Sequence, residues 1–89
     1  MIMDQESTKL IADAIIIAGK AIGAGFCMGI GAISPGIGEG NIGAHAMDSI
    51  ARQPELANSI TTRMLIADAV AETTGIYALL IAFLILFAL

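Results

Sequence analysis

Glu72 is the residue whose setting most demands a chemical reason. Ala69, Val70 and Ala71 precede it, and every residue after Tyr77 is apolar. A charge held that deep in an apolar span costs about 3 kcal/mol or more, and acids that persist there mark ion or proton pathways. Oxygen-bearing groups cluster around it. Thr73 and Tyr77 are i, i+4 neighbours on a helix, supplying a hydroxyl and a phenol, and the carbonyl of Val70 is one that a kink would free. Ligands made only of oxygen suit a hard cation. They suit equally a network around a protonated acid. A purely structural, hydrogen-bonded acid is the bland alternative.

Two further acids bear on Glu72. Glu39 lies on the side of its helix away from Phe26, Ile30 and Ile37, which turns it toward the second apolar segment. Carboxylates side by side do not both ionise without cost, so one holds a proton. Asp68 lies one turn before Glu72, at the expected membrane interface, where solvation would suffice for it. His45, the only histidine, reads as a surface residue beside a loop, and Cys27 as a small buried hydrophobe. No nucleophile–base pair is present. The Gly-x-Gly runs lack a preceding strand and a P-loop lysine, so the chain is not expected to be an enzyme by itself.

The elements that must position these groups follow from composition. The chain has 89 residues, of which 57 % are apolar and 4 % aromatic. A soluble domain this small needs a staple, and one cysteine and one histidine supply neither a disulfide nor a metal knot. Lipid is therefore the expected solvent. The net charge of −4, with Lys9, Lys20, Arg52 and Arg63 scattered, excludes nucleic-acid binding. Acids ahead of the first apolar run, Asp4 and Glu6, argue against a signal peptide, so the chain is expected to be mature as it stands.

Ala14 to Gly38, broken only by Lys20, and Ala69 to Leu89, broken only by Glu72, are each long enough to cross a bilayer. Pro54 cannot extend a helix from upstream but suits the first turn of a new one, with Glu55 favourable at that positive end. The expectation is all-α: one domain over 1–89, a transmembrane hairpin of two long helices. The first helix spans about 10–49, the loop about 50–54, and the second helix about 55–89. Ser34-Pro35-Gly36 is read as tolerated within the first helix, because a break would leave backbone polar groups in lipid. Lys20 is expected to snorkel outward. Arg52 and Arg63 favour a cytoplasmic loop.

Nine of the ten glycines lie between Gly19 and Gly43. Each costs about 1 kcal/mol against alanine in a helix, so they need a packing reason. On a helical projection Gly25, Gly29, Gly36, Gly40 and Gly43 share one side, and Ala24, Gly31 and Gly38 lie roughly opposite. Small residues let membrane helices approach closely. Two opposed small faces imply a close neighbour on each side, and a head-to-tail contact of identical copies closes into a ring when the rotation permits. The remaining face, Phe26, Ile30, Ile33 and Ile37, is apolar and argues against an ion-conducting lumen. A loosely packed Gly-rich helix, or a purely structural oligomerising hairpin, is the competing expectation.

Together the Gly-rich first helix, the Ala51-Arg52-Gln53-Pro54 loop and the Ala71-Glu72-Thr73-Thr74-Gly75-Ile76-Tyr77 segment resemble the c subunit of F-type ATP synthases. The resemblance covers roughly Gly19 to Ala88. It implies a membrane rotor ring of identical hairpins with the first helices inside, turned by ion exchange at the stator a subunit. It also implies lipid contact, a bacterial inner or plasma membrane, and a loop (Arg52, Gln53, Pro54) that meets the gamma and epsilon subunits of the central stalk. The segment from Glu72 to Tyr77 is similar to the sodium-coupled members. By that analogy Na⁺ is held by Glu39, the Val70 carbonyl, Glu72 and Thr73, with water near Thr74, and Tyr77 orients Glu72. Coupling to H⁺ alone, through protonation of Glu72, is the alternative. Lys20, Asp68, the N-terminal extension Met1–Thr8 and the absence of a short polar C-terminal end depart from the family pattern.

Overall fold

The computed structural model describes residues 4–89, so the start of the N-terminal extension, Met1–Met3, lies outside the described residues. The chain is a hairpin of two helical arms, 76 × 22 × 12 Å. The first arm comprises α1 (Gln5–Gly31) and α2 (Ile33–Arg52). The second comprises a 3₁₀ turn (Pro54–Leu56) and α3 (Ala57–Phe87). Only Gln53 separates the arms, at φ −134° and ψ 70°, a conformation outside the α region as expected before proline.

The first arm starts earlier and ends later than the apolar pattern implied. Asp4 accepts a hydrogen bond from the Ser7 backbone N–H at 2.7 Å, capping a helix that begins at Gln5 rather than near residue 10. That bond holds the Asp4 carboxyl below its ordinary value of 3.8. At the other end α2 continues to Arg52, past the expected end near 49. The bend is confined to the Gln53–Pro54 step, where Pro54 opens a 3₁₀ turn before α3 begins at Ala57.

Pro35 interrupts the first arm without breaking its path. The Ala32 N–H still donates to the Met28 carbonyl at 2.9 Å, and the Gly36 N–H to the Ala32 carbonyl at 3.0 Å. Pro35 has no N–H to offer the Gly31 carbonyl. That single missing donor accounts for the division between α1 and α2 at Ala32.

The seam between the arms is built from small residues. Ala24, Ala46 and Ala82 are its buried apolar residues, and Pro35 and Gly75 are buried beside them. A Cβ added to Gly31 would collide with the Ala78 methyl, whereas one at Gly38 would sit 3.9 Å from the Ala71 Cβ. Near the open end, a Cβ at Gly23 would lie 3.9 Å from Ile85 Cγ2. The register is antiparallel and constant along the seam, as close small-residue packing requires.

The two small faces have different fates. Ala24, Gly31 and Gly38 receive α3 of the same chain, not a neighbouring copy. Among the described residues, nothing lies within 4 Å of a would-be Cβ at Gly25, Gly29, Gly36 or Gly40, and Gly43 is likewise open there. Gly25 and Gly29 line an apolar groove with Ile22, Phe26, Ile30 and Ile33. One small face thus closes the hairpin and the other is left for packing beyond it. Lys20 also departs from expectation. It does not snorkel away from the hairpin; its Nζ donates to the Leu89 carbonyl oxygen.

Candidate functional site

α2 and α3 present their acids to each other. Glu39 and Glu72 are both half-buried in the seam, whereas Gly40 and Thr73, one position on, are exposed. The Glu39 carboxyl lies within interaction range of the Glu72 carboxyl and in the field of Asp68. Placement follows from register: Gly38 meets Ala71, so in the antiparallel pair the next residue on each arm steps the opposite way, leaving Glu39 and Glu72 offset along the seam by only about 3 Å.

Glu72 is folded back along its own helix. Its Oε1 occupies the place beside Gly75 where a side chain would begin, 2.8 Å from a would-be Cβ, and Pro35 Cγ approaches the same point at 3.1 Å. Gly75 therefore makes room for the Glu72 carboxyl, and Pro35 walls it from the first arm. Sequence reasoning weighs Pro35 only as a possible break and does not place Gly75 in the site. The signal available is the i, i+3 spacing of Glu72 and Gly75, which stacks them on one face.

The other oxygen groups lie elsewhere on α3. Thr73, Thr74 and Tyr77 are exposed, and Tyr77 and Val70 are 62 % and 70 % exposed. Thr73, Val70 and Tyr77 fall on the side of α3 away from the seam. The Thr73 hydroxyl donates to the Ala69 carbonyl at 3.4 Å. No kink frees the Val70 carbonyl, because α3 runs unbroken from Ala57 to Phe87 and an uninterrupted ladder keeps that carbonyl engaged. The structure thus brings Glu39 and Glu72 together within one chain and leaves Val70, Thr73, Thr74 and Tyr77 on an adjoining open face.

Asp68 is less solvated than its interfacial position implied. Its Oδ1 is buried and finds no hydrogen-bond partner among the described residues. It faces the seam one turn nearer the loop than Glu72, so three acids share one side. Among the described residues no group of three or more His, Cys, Asp or Glu side chains converges to hold a metal ion. At the loop Arg52, Gln53 and Pro54 are exposed, as is His45 on α2. Cys27 is half-buried, its Sγ 3.5 Å from the Ala78 carbonyl.

Fold and site together define a class: an apolar two-arm hairpin, 48 and 34 residues long in its arms, that spans a membrane and holds two carboxyl groups face to face in its seam. The family described as the C subunit of ATP synthase matches residues 22–85. The chain is 74 % identical to the ATP synthase c subunit of Thermotoga maritima over 76 residues, which is 85 % of this chain and 89 % of that one. It is 65 % identical to the c subunit of Petrotoga mobilis, over 80 % of this chain and 74 % of that one. The chloroplastic c subunit of an Antithamnion species is 45 % identical, over 85 % and 93 %. The chain belongs to the ATP synthase c subunit family. It is a helical, ring-forming membrane rotor component of an F-type ATP synthase, and transports rather than catalyses.

Proposed function

We propose that Glu72 carries Na⁺, binding and releasing it as a ring of identical copies turns past the stator a subunit. The observation that carries this reading is the pairing of Glu39 with Glu72 in the seam. Two carboxylates around one monovalent cation leave an excess buried negative charge, so Glu39 keeps a proton and donates it while Glu72 binds the ion. Glu72 and Glu39 supply oxygens from the seam. Thr73, the Val70 backbone, Tyr77 and a water near Thr74 supply or order the rest on the adjoining open face. That face is available to a neighbouring copy, so the shell closes between copies.

In this reading the apolar face of Phe26, Ile30, Ile33 and Ile37 lines the centre of the ring and contacts lipid. Gly25, Gly29, Gly36, Gly40 and Gly43 admit the next copy. The exposed Arg52, Gln53 and Pro54 meet the gamma and epsilon subunits on the cytoplasmic side of a bacterial inner membrane. A potential of 100 mV does about 2.3 kcal/mol of work on each ion carried across.

One observation favours proton coupling instead. The Thr73 hydroxyl and the Val70 carbonyl are already engaged within α3, which leaves fewer free ligands for a cation than for a shared proton. ATP-driven uptake of radioactive Na⁺ into vesicles holding the complete synthase separates the readings. Sodium coupling predicts uptake that survives a protonophore and is abolished by Glu72→Gln. Uptake of H⁺ alone, with no Na⁺ movement, overturns it.

A further inference from the structure

One backbone oxygen in the seam has lost its helical partner. An α-helical carbonyl points along the axis toward the N–H four residues on. For Gly31 that residue is Pro35, which has no N–H to give. The ladder resumes at once, with the Gly36 N–H donating to the Ala32 carbonyl, so the loss falls on Gly31. A carbonyl without that donor is costly in an apolar layer, where water does not serve it.

The seam fixes where this oxygen lies. Gly31 packs on Ala78, because an added Cβ would collide with that methyl. Pro35 is buried against Gly75, its Cγ 3.1 Å from a would-be Cβ there. The carbonyl points from the first of these contacts toward the second, so it faces α3 between the levels of Ala78 and Gly75. The polar group that α3 presents at Gly75 is the Glu72 carboxyl, whose Oε1 is 2.8 Å from the same would-be Cβ. Gly31 has no side chain to screen its oxygen. The Cys27 thiol, at the same level, donates to the Ala78 carbonyl instead. Ser34 is exposed and lines a groove with Ile30, Ile33 and Ile37 on another side of the arm.

We propose that the Gly31 carbonyl is a ligand oxygen of the Glu72 site, supplied by the first arm and facing the positive species that Glu72 carries. A protonated Glu72 donates its O–H to this oxygen, and a bound Na⁺ takes it as a hard oxygen ligand. Both are one chemistry, an acceptor set opposite a positive centre. The assignment therefore rests on Glu72 being the carrier, not on which ion it carries. It supplies from the first arm the backbone oxygen that the Val70 carbonyl, engaged within the unbroken α3, does not. Pro35 then acts on the site twice: its ring walls the carboxyl, and its missing N–H frees the oxygen.

Solid-state NMR on rings of the full chain in lipid bilayers tests this. Glycine labelled with ¹³C at the carbonyl and alanine labelled with ¹⁵N select the pairs Gly23–Ala24, Gly31–Ala32 and Gly43–Ala44. Ala32→Ser identifies the Gly31 signal by removing it. The Glu72 carboxyl, identified by its loss in Glu72→Gln, is followed beside it as pH and Na⁺ are varied. The Gly31 carbonyl signal should shift in step with the Glu72 carboxyl, while Gly23 and Gly43 stay still. Pro35→Val keeps an apolar wall and restores the N–H. In that variant the Gly31 signal should stop following Glu72, and Glu72 should hold its ion about fivefold more weakly, the worth of one ordinary hydrogen bond. A Gly31 signal that stays still while the Glu72 carboxyl moves, or that follows Glu72 unchanged in Pro35→Val, overturns the proposal alone. A Glu72 carboxyl that itself never moves overturns the carrier reading and the proposal with it.

Discussion

Replacing Gly31 by alanine should open the hairpin at one point, and restoring the space across the seam should close it again. The added methyl would land on the Ala78 methyl, where ordinary contacts lie at 3.4–4 Å. Neither group is the end of a flexible side chain, so relief comes only by moving one helix from the other. Such overpacking costs about 1–3 kcal/mol, or roughly 5- to 150-fold in the stability of the closed seam. The helix propensity gained on replacing glycine, about 1 kcal/mol, offsets part of this. Gly38→Ala is the control: its methyl meets the Ala71 Cβ at an ordinary 3.9 Å, so it gains propensity without collision. Thermal dissociation of purified rings, followed by gel and native mass spectrometry, reads the difference. Gly31→Ala should lower the dissociation temperature, Gly38→Ala should leave or raise it, and the double change Gly31→Ala with Ala78→Gly should recover it. A Gly31→Ala ring as stable as the parent, or a double variant no better than Gly31→Ala, would refute the assigned register.

Other expectations follow from single contacts. Gly75→Ala brings a Cβ within 2.8 Å of Glu72 Oε1; because that carboxyl ends a flexible chain, it moves aside, so ion-coupled turnover should fall several-fold while circular dichroism stays unchanged. Gly25→Ala meets nothing within 4 Å among the described residues, so if this face seats the next copy it should weaken ring assembly yet leave hairpin helicity intact. Asp4→Ala should speed amide exchange over Gln5–Thr8 only. The native cap has a matching pH signature: the Asp4 carboxyl is lowered in the folded chain by the Ser7 N–H, so its stabilisation is present above the ordinary value of 3.8 and is lost as pH falls through the folded value. Fraying of the first turn that begins well above pH 5 would contradict this.

Much of the hairpin is legible in the sequence because its signals are local. Pro54 with Glu55 marks a helix start whatever surrounds it, and apolar length alone defines the two arms. The apposition of Glu39 with Glu72 follows from helical projection, since both arms are regular. The features that sequence reasoning misplaces are those set by distant partners. Lys20 meets Leu89 across 69 positions, and no local pattern reports where another helix ends. The Ala24, Gly31 and Gly38 face suggests a contact between copies and instead receives α3; small residues permit close approach but do not say which helix approaches. The start of α1 escapes the apolar pattern because Gln5–Lys9 is polar and only the Asp4 cap marks it. A freed Val70 carbonyl requires a kink, yet α3 contains neither proline nor a break between Ala57 and Phe87.

Carbodiimide modification of Glu72 in the intact ring, followed by mass spectrometry across pH with and without Na⁺, tests the sodium reading most directly. The reagent attacks the protonated carboxyl, so an ion bound at Glu72 protects it. Added Na⁺ is expected to slow labelling at fixed pH, more strongly as pH rises and protons compete less. Labelling that tracks pH alone, unchanged by Na⁺ at every pH, contradicts sodium coupling and assigns Glu72 to protons.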